Sequence, residues 1–191
     1  MTNILIILGS ATVNSHTLCL GRFIESELNK FDDINVELID LCELNLPFAN
    51  PKYHHNPEDY PNKEVQYLVK AVNNADSIIL GSPNYHGSYS ALLKNALDIL
   101  NMDNFKNRPV GIISNSGGLR STEPITQMRL VVRNLLGLAI PNQISTCRSD
   151  YSINNETGEV TLISNDIKMR VNNFIGDIVN ISQMMNYKDL A

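Results

Sequence analysis

The chain has no tryptophan and only three cysteines in 191 residues. Cys19, Cys42 and Cys147 are odd in number and far apart. They make neither a disulfide framework nor a C-x-x-C zinc or redox pair, and a reduced, structural role is expected for them. No apolar run approaches the roughly 20 residues that cross a bilayer, so no transmembrane segment is expected. The opening MTNILIILGS is apolar but lacks a basic n-region and a small-residue cleavage site. It reads as a buried first strand rather than a signal peptide, and a cytoplasmic location is expected. Positive charge is scarce: 15 Lys and Arg stand against 20 Asp and Glu, for a net charge of -5. With no basic cluster, a nucleic-acid surface is not expected, and small molecules or proteins are the expected partners. Repeats and low-complexity tracts are missing. The glycosylation patterns at Asn155 and Asn180 would matter only in a secreted chain and are set aside. His54-His55 has no carboxylate-rich companion, and adjacent residues rarely face one ion, so no metal is expected.

What remains is an ordinary composition, 43% hydrophobic and 18% charged, at a length that fits one domain with a substantial core. Ile4 to Leu8 is a continuous apolar run suited to a strand buried on both faces. Leu20, Phe23, Ile24, Leu28 and Phe31 recur at helical spacing. INVELID gives a second strand, and CELNLPFANPKYHHNPEDYP a long proline-punctuated loop. Val65, Leu68, Val69 and Val72 mark a second helix, and SIILGSP a third strand. Leu93, Ala96, Leu97 and Leu100 mark a third helix, and PVGIISNS a fourth strand. A fourth helix enters at Thr122, carries Pro124 in its first turn and leaves at Gly137. GLAIPNQIST is a fifth strand, YSINNETGEVTL a hairpin, and Ile167 to Met185 a last helix. Strands joined through helices run parallel with right-handed crossovers, which predicts an α/β doubly wound sheet with helices on both faces. Ligands of such sheets bind beyond the carboxyl ends of the strands, at the switch point of strand order.

Three strand ends carry unusual loops that should share one edge. GSATVNSHT runs into a helix N-terminus, where free N–H groups and the helix dipole favour an anion. Ser10, Thr12, Asn14, Ser15 and Thr17 can each hydrogen-bond a phosphate without fixed charge, although helix capping by Ser15 alone would also explain the pattern. Neither a P-loop nor a G-x-G-x-x-G turn is present. In GSPNYHGS, Pro83 fixes φ, Gly87 permits a backbone that other residues avoid, and Tyr85 and His86 offer flat faces. Such a loop suits a planar ring, its backbone N–H groups meeting the ring edge; it could equally be a structural turn. In SNSGGLRST, Ser116, Gly117 and Gly118 let backbone approach a ligand, or simply turn the chain.

SPNYHGSYSALLKNALD resembles the P-x-Y-x-x-S-x-x-x-x-L-K-N-A-x-D signature of the NAD(P)H-dependent FMN reductase family, with its azoreductases and quinone or chromate reductases. Gly9-Ser10 with Ser15, LNLPFAN, RPVGIISNSGG and the turn at Gly158 also match, across most of the chain. The resemblance implies a flavodoxin-like fold of five parallel strands in the order 2-1-3-4-5, residues 1–191 forming one FMN-binding domain. It implies FMN with its phosphate in the first loop, at Gly9, Ser10, Thr12, Asn14, Ser15, His16 and Thr17. The ring would lie against Pro83, Asn84, Tyr85, His86, Gly87, Ser88, Ser116, Gly117 and Gly118. Lys94 and Asn95 would fix their helix and a subunit interface, to which Tyr53, His54 and His55 would lend surface in a homodimer or homotetramer. Gly158 is expected to lie away from the site.

The family commonly has an Arg three residues after the loop's Gly, where this chain has Thr12; His16 or Arg120 would have to compensate. The resemblance also implies a cycle in which NADPH or NADH reduces FMN and leaves, and a small-molecule electron acceptor takes its place. That acceptor is a quinone, azo compound, free flavin or metal oxyanion. The chemistry is the cofactor's, so no catalytic side chain is expected. Two other readings stand beside it: a flavodoxin-type electron carrier, although the T-x-T-G-x-T loop of that group is missing, and a flavin-free regulatory domain.

Overall fold

A computed structural model describes residues 1–188; residues 189–191, included in the expected domain, lie outside the described residues. The chain forms β1 (Thr2–Leu8), α1 (His16–Leu28), β2 (Ile34–Asp40), α2 (Lys63–Asn74), β3 (Ser77–Pro83) and α3 (Ala91–Ile99). It continues through β4 (Pro109–Ser116), α4 (Glu123–Asn134), β5 (Leu138–Cys147), β6 (Tyr151–Ile153), β7 (Val160–Leu162) and α5 (Asn165–Lys188). The first five strands pair in parallel in the order β2-β1-β3-β4-β5, as the resemblance implies.

The unbroken apolar runs explain the layering. In β1, Leu5 and Ile7 pack with Leu68 of α2, Leu93 of α3 and Met128 of α4 on one face. Ile4, Ile6 and Leu8 point the other way, toward Leu20 and Ile24 of α1 and Phe174 of α5. All five strand residues are at most 1% exposed. Each such side chain contributes about 1.5–3 kcal/mol of burial, which is why β1 is central. β6 and β7 form the expected antiparallel hairpin, turning at Gly158 with φ 71°.

Several boundaries differ from the sequence reading: β5 runs Leu138–Cys147 rather than Gly137 to Thr146, α3 ends at Ile99 rather than Leu100, and three more differences have a visible cause. β1 begins at Thr2, whose N–H reaches Asp33 O at 2.8 Å. α1 stops at Leu28, and Phe31 is 41% exposed, because the chain must turn at once into β2: Ile34 N–H bonds to Phe31 O. After α4 the left-handed residue is Leu136 (φ 63°), not Gly137, whose N–H instead closes onto Val132 O at 2.9 Å.

Candidate functional site

Strand order reverses at β1, which has β2 on one side and β3 on the other, so the loops after β1 and β3 part and leave a crevice. The loop after β4 closes its far side. Together they wall a cavity of about 600 Å³, within the range of small-molecule and cofactor sites.

Ser15 caps α1, its Oγ accepting the Leu18 N–H at 3.0 Å. The N–H groups of His16 and Thr17 find no acceptor among the described residues, so two donors and the positive end of the helix face the cavity. Capping and anion binding are therefore compatible readings of one loop. Ser10, 2% exposed, braces it by accepting the Thr12 N–H at 3.3 Å. Gly9 lies beneath rather than in the wall. A side chain there would meet Leu93 Cβ at 2.4 Å, and its carbonyl accepts the Ser90 hydroxyl at 2.5 Å, so this glycine lets α3 dock on the end of β1.

The second loop is a hairpin tip. Tyr85 and Ser88 exchange backbone hydrogen bonds of 2.8 and 3.1 Å across His86 (φ 54°) and Gly87 (φ 77°), the two successive left-handed residues of a type I′ turn. Most N–H groups expected to meet a ring edge are already used: Asn84 N–H goes to Asn115 O, and Gly87 N–H to Asn84 Oδ1. Gln127 of α4 grips the tip, donating to Gly87 O at 2.9 Å and accepting from Ser88 Oγ at 2.5 Å. Pro83, Asn84 and Tyr85 line the cavity, whereas His86, Gly87 and Ser88 form the tip beyond it.

In the third loop Ser116 is buried, its hydroxyl 3.4 Å from Asn84 Nδ2, and Gly117 lines the cavity while Gly118 does not. Neither glycine has a positive φ, and a Cβ on either would meet nothing within 4 Å. The backbone itself has no need of glycine here, and the space that a side chain would take at Gly117 belongs to the cavity.

Five lining residues escaped the sequence reading: Val13 from the first loop, Asn115 from β4, and Ile153, Gly158 and Val160 from the β6–β7 hairpin. Gly158 is thus part of the wall rather than remote from it. Sequence offered the hairpin but no sign of where it folds back.

Neither Lys nor Arg lines this cavity. Arg120 is committed elsewhere, gripping Asp150 at 2.6 and 3.1 Å and Asp166 at 3.2 Å. His16, stacked edge-on against Tyr151 at 4.7 Å, is held below the ordinary imidazole range by burial and by Arg148. At neutral pH it is uncharged, so neither candidate replaces the missing charge at Thr12. His16 protonates more readily in the unfolded chain, so the apoprotein should lose stability as pH falls below about 6.5. Thermal midpoints between pH 7.5 and 5.5 should fall, and fall less in His16→Asn; equal slopes would contradict this.

The donor set suits FMN: neutral hydroxyls and free N–H groups at one helix start, and Pro83, Tyr85 and a bare Gly117 in the same cavity wall. The run after Ser90 serves the scaffold, Asn95 accepting the Ala49 N–H and donating to Pro47 O, both at 2.9 Å.

Comparison with known proteins points the same way. The family model described as NADPH-dependent FMN reductase matches residues 2–149. An FMN-dependent NADPH-azoreductase of Staphylococcus aureus is 45% identical over 186 residues, 97% of this chain and 98% of that protein. A flavoenzyme NAD(P)H:(acceptor) oxidoreductase from Paracoccus denitrificans has the same fold at 16% identity and TM-score 0.70, covering 94% of this chain and 98% of its own. A flavodoxin from the domain Archaea superposes at TM-score 0.61 and 10% identity, over 97% and 99% of the two chains.

Proposed function

This chain belongs to the NADPH-dependent FMN reductase family, and from that premise we propose that the three-loop cavity holds FMN and passes electrons from NADPH to an azo compound. The protein is an FMN-dependent NAD(P)H oxidoreductase of flavodoxin-like fold. The observation that supports the site best is the cavity of about 600 Å³, walled by all three loops and lined by both the dipolar start of α1 and the planar side chains of Pro83 and Tyr85. Azo compounds are favoured as the acceptor class by the Staphylococcus aureus relative, with quinones, free flavins and metal oxyanions as the wider set.

When bound, FMN would supply the hydride-transfer chemistry between a nicotinamide and the acceptor. The residues hold and orient. Ser15, His16 and Thr17 give the phosphate neutral donors along the axis of α1. Pro83 and Tyr85 flank the ring, and Gly117 leaves room for it. No side chain is assigned a catalytic role. Mass analysis of the cofactor released from reconstituted protein should give FMN; FAD, or no flavin, would contradict the site.

Restoring the family's charge should strengthen the phosphate site. Thr12→Arg should tighten FMN binding by about tenfold, equivalent to about 1.4 kcal/mol, with a gain that shrinks as salt is added. An unchanged dissociation constant would mean that position 12 does not face the phosphate.

We further propose a homodimer or homotetramer working in the cytoplasm. Phe48 supports the assembly, being 92% exposed on the segment that Asn95 pins. Tyr53 is less available than expected, since its ring stacks on buried Tyr60 at 4.4 Å. Among the described residues no helix is long and apolar enough to cross a membrane.

A further inference from the structure

One polar side chain in the cavity wall has donors to spare and an elaborate support. Asn115, the penultimate residue of β4, is only 9% exposed, yet it lines the cavity between the ring loops. Its carbonyl accepts the Asn84 N–H at 2.7 Å, so its main chain is tied to the second loop. Its side-chain Oδ1 accepts from Thr146 Oγ1 at 3.1 Å. Thr146, fully buried on β5, has the Ser114 carbonyl as its other acceptor at 3.2 Å, and it accepts the Tyr151 hydroxyl at 2.9 Å. Burial pushes the Tyr151 phenol far up, so it stays protonated and donates. With Tyr151 filling a lone pair of Thr146, the threonine proton is free to hold Oδ1, which turns the two N–H bonds of Asn115 Nδ2 away from the sheet. They meet no acceptor among the described residues. These two donors face the open cavity, where a ligand that brings an acceptor edge to this wall can take them up.

We propose that Asn115 is the ring-edge donor for the bound flavin, aimed into the cavity by the hydroxyl relay Tyr151 to Thr146. This rests on the reading of the cavity as the FMN site. A flavin edge carries carbonyl and ring-nitrogen acceptors, and these gain electron density when the ring is reduced. A preoriented donor therefore binds the reduced ring more strongly than the oxidised ring. Asn115 would touch the ring edge, whereas Thr146 and Tyr151 act through it as positioning residues.

The test uses purified protein reconstituted with FMN, its reduction potential measured by equilibration with redox dyes and its visible absorption spectrum recorded. Asn115→Ala should weaken reduced FMN about tenfold more than oxidised FMN, which for a two-electron couple lowers the potential by about 30 mV. Asn115→Asp, equal in size but without donors, should lower it further, and it stands in if the alanine variant folds poorly. Tyr151→Phe should lower the potential in the parent background but leave it unchanged in Asn115→Ala. Thr146→Val gives the same comparison without touching the ring that packs on His16. Parent-like potential and spectrum in both Asn115 variants, in protein that binds FMN, would overturn the donor assignment and leave the FMN site standing. Equal shifts from Tyr151→Phe in both backgrounds would overturn the relay. A parent that takes up no FMN would end both readings.

Discussion

Gly117→Val is expected to keep its fold and to bind FMN at least about a hundredfold more weakly, a loss of about 2.7 kcal/mol. The reasoning is steric. The φ of Gly117 is one that any residue adopts, and a Cβ there meets no protein atom within 4 Å, so the apoprotein tolerates the substitution. The branches of valine must then project into the cavity that Gly117 lines together with Pro83 and Tyr85. Gly87 makes a poorer probe. With φ 77° in a two-residue turn, a valine there strains the backbone by about 1–3 kcal/mol whatever the cavity holds. Gly176, in the middle of α5, is a fitting control because a Cβ there also meets nothing within 4 Å and it is not in the cavity wall. The checks are the thermal midpoint of each apoprotein and the FMN dissociation constant by fluorescence quenching. An intact Gly117→Val protein with parent-like affinity would place the ring elsewhere.

The second large effect falls on the strut beneath the third loop. Asp150 is 3% exposed, and its carboxylate takes Arg120 at 2.6 and 3.1 Å and the Cys147 N–H at 2.8 Å. Its carbonyl accepts the N–H groups of Ile163 and Ser164, so it joins β5, β7 and the start of α5. Burial alone would raise this carboxyl, but the Arg120 and Cys147 hydrogen bonds outweigh it and hold it below the usual carboxylate range. Asp150→Ala should cost about 3 kcal/mol, the low end for breaking a buried pair, since Arg120 is 36% exposed. For a chain of this size that lowers the midpoint by roughly 6–12 °C. Because the folded carboxyl is the stronger acid, its contribution is complete above about pH 3.8 and disappears as pH falls through its depressed value. The parent should therefore show an acid-dependent loss below pH 4 that Asp150→Asn lacks. A midpoint within about 2 °C of the parent would show that the strut carries no load.

The sheet was legible because β1 and β3 carry unbroken β-branched and leucine runs, and β2, β3 and β4 fall where INVELID, SIILGSP and PVGIISNS stand. Strand order came through the resemblance and not through periodicity, which cannot say which strand lies beside which. Helix ends were harder. Leu136 takes the left-handed position beside an available Gly137 because the backbone geometry of the exit, with Leu136 N–H on Arg133 O and Gly137 N–H on Val132 O, sets the residue. In the site, residues next to glycine and proline were found and Asn115 was passed over, since an asparagine inside a strand carries no local signal. Its meaning depends on Thr146 and Tyr151, more than thirty residues away. The hairpin wall was missed for the same reason: chain separation hides contacts that the fold creates. Arg120 shows the converse, a charge near a glycine loop that seemed free for a phosphate until Asp150 was found beneath it.

The most direct test of the whole account is anaerobic addition of NADPH to protein carrying stoichiometric FMN, followed by its visible absorption. The account predicts rapid bleaching of the oxidised flavin band by one equivalent of NADPH and full recovery on adding an azo dye, whose own colour is lost in proportion. A flavin that stays oxidised in the presence of excess NADPH and NADH, while chemical reductant bleaches it, would contradict the account and leave an electron carrier in its place.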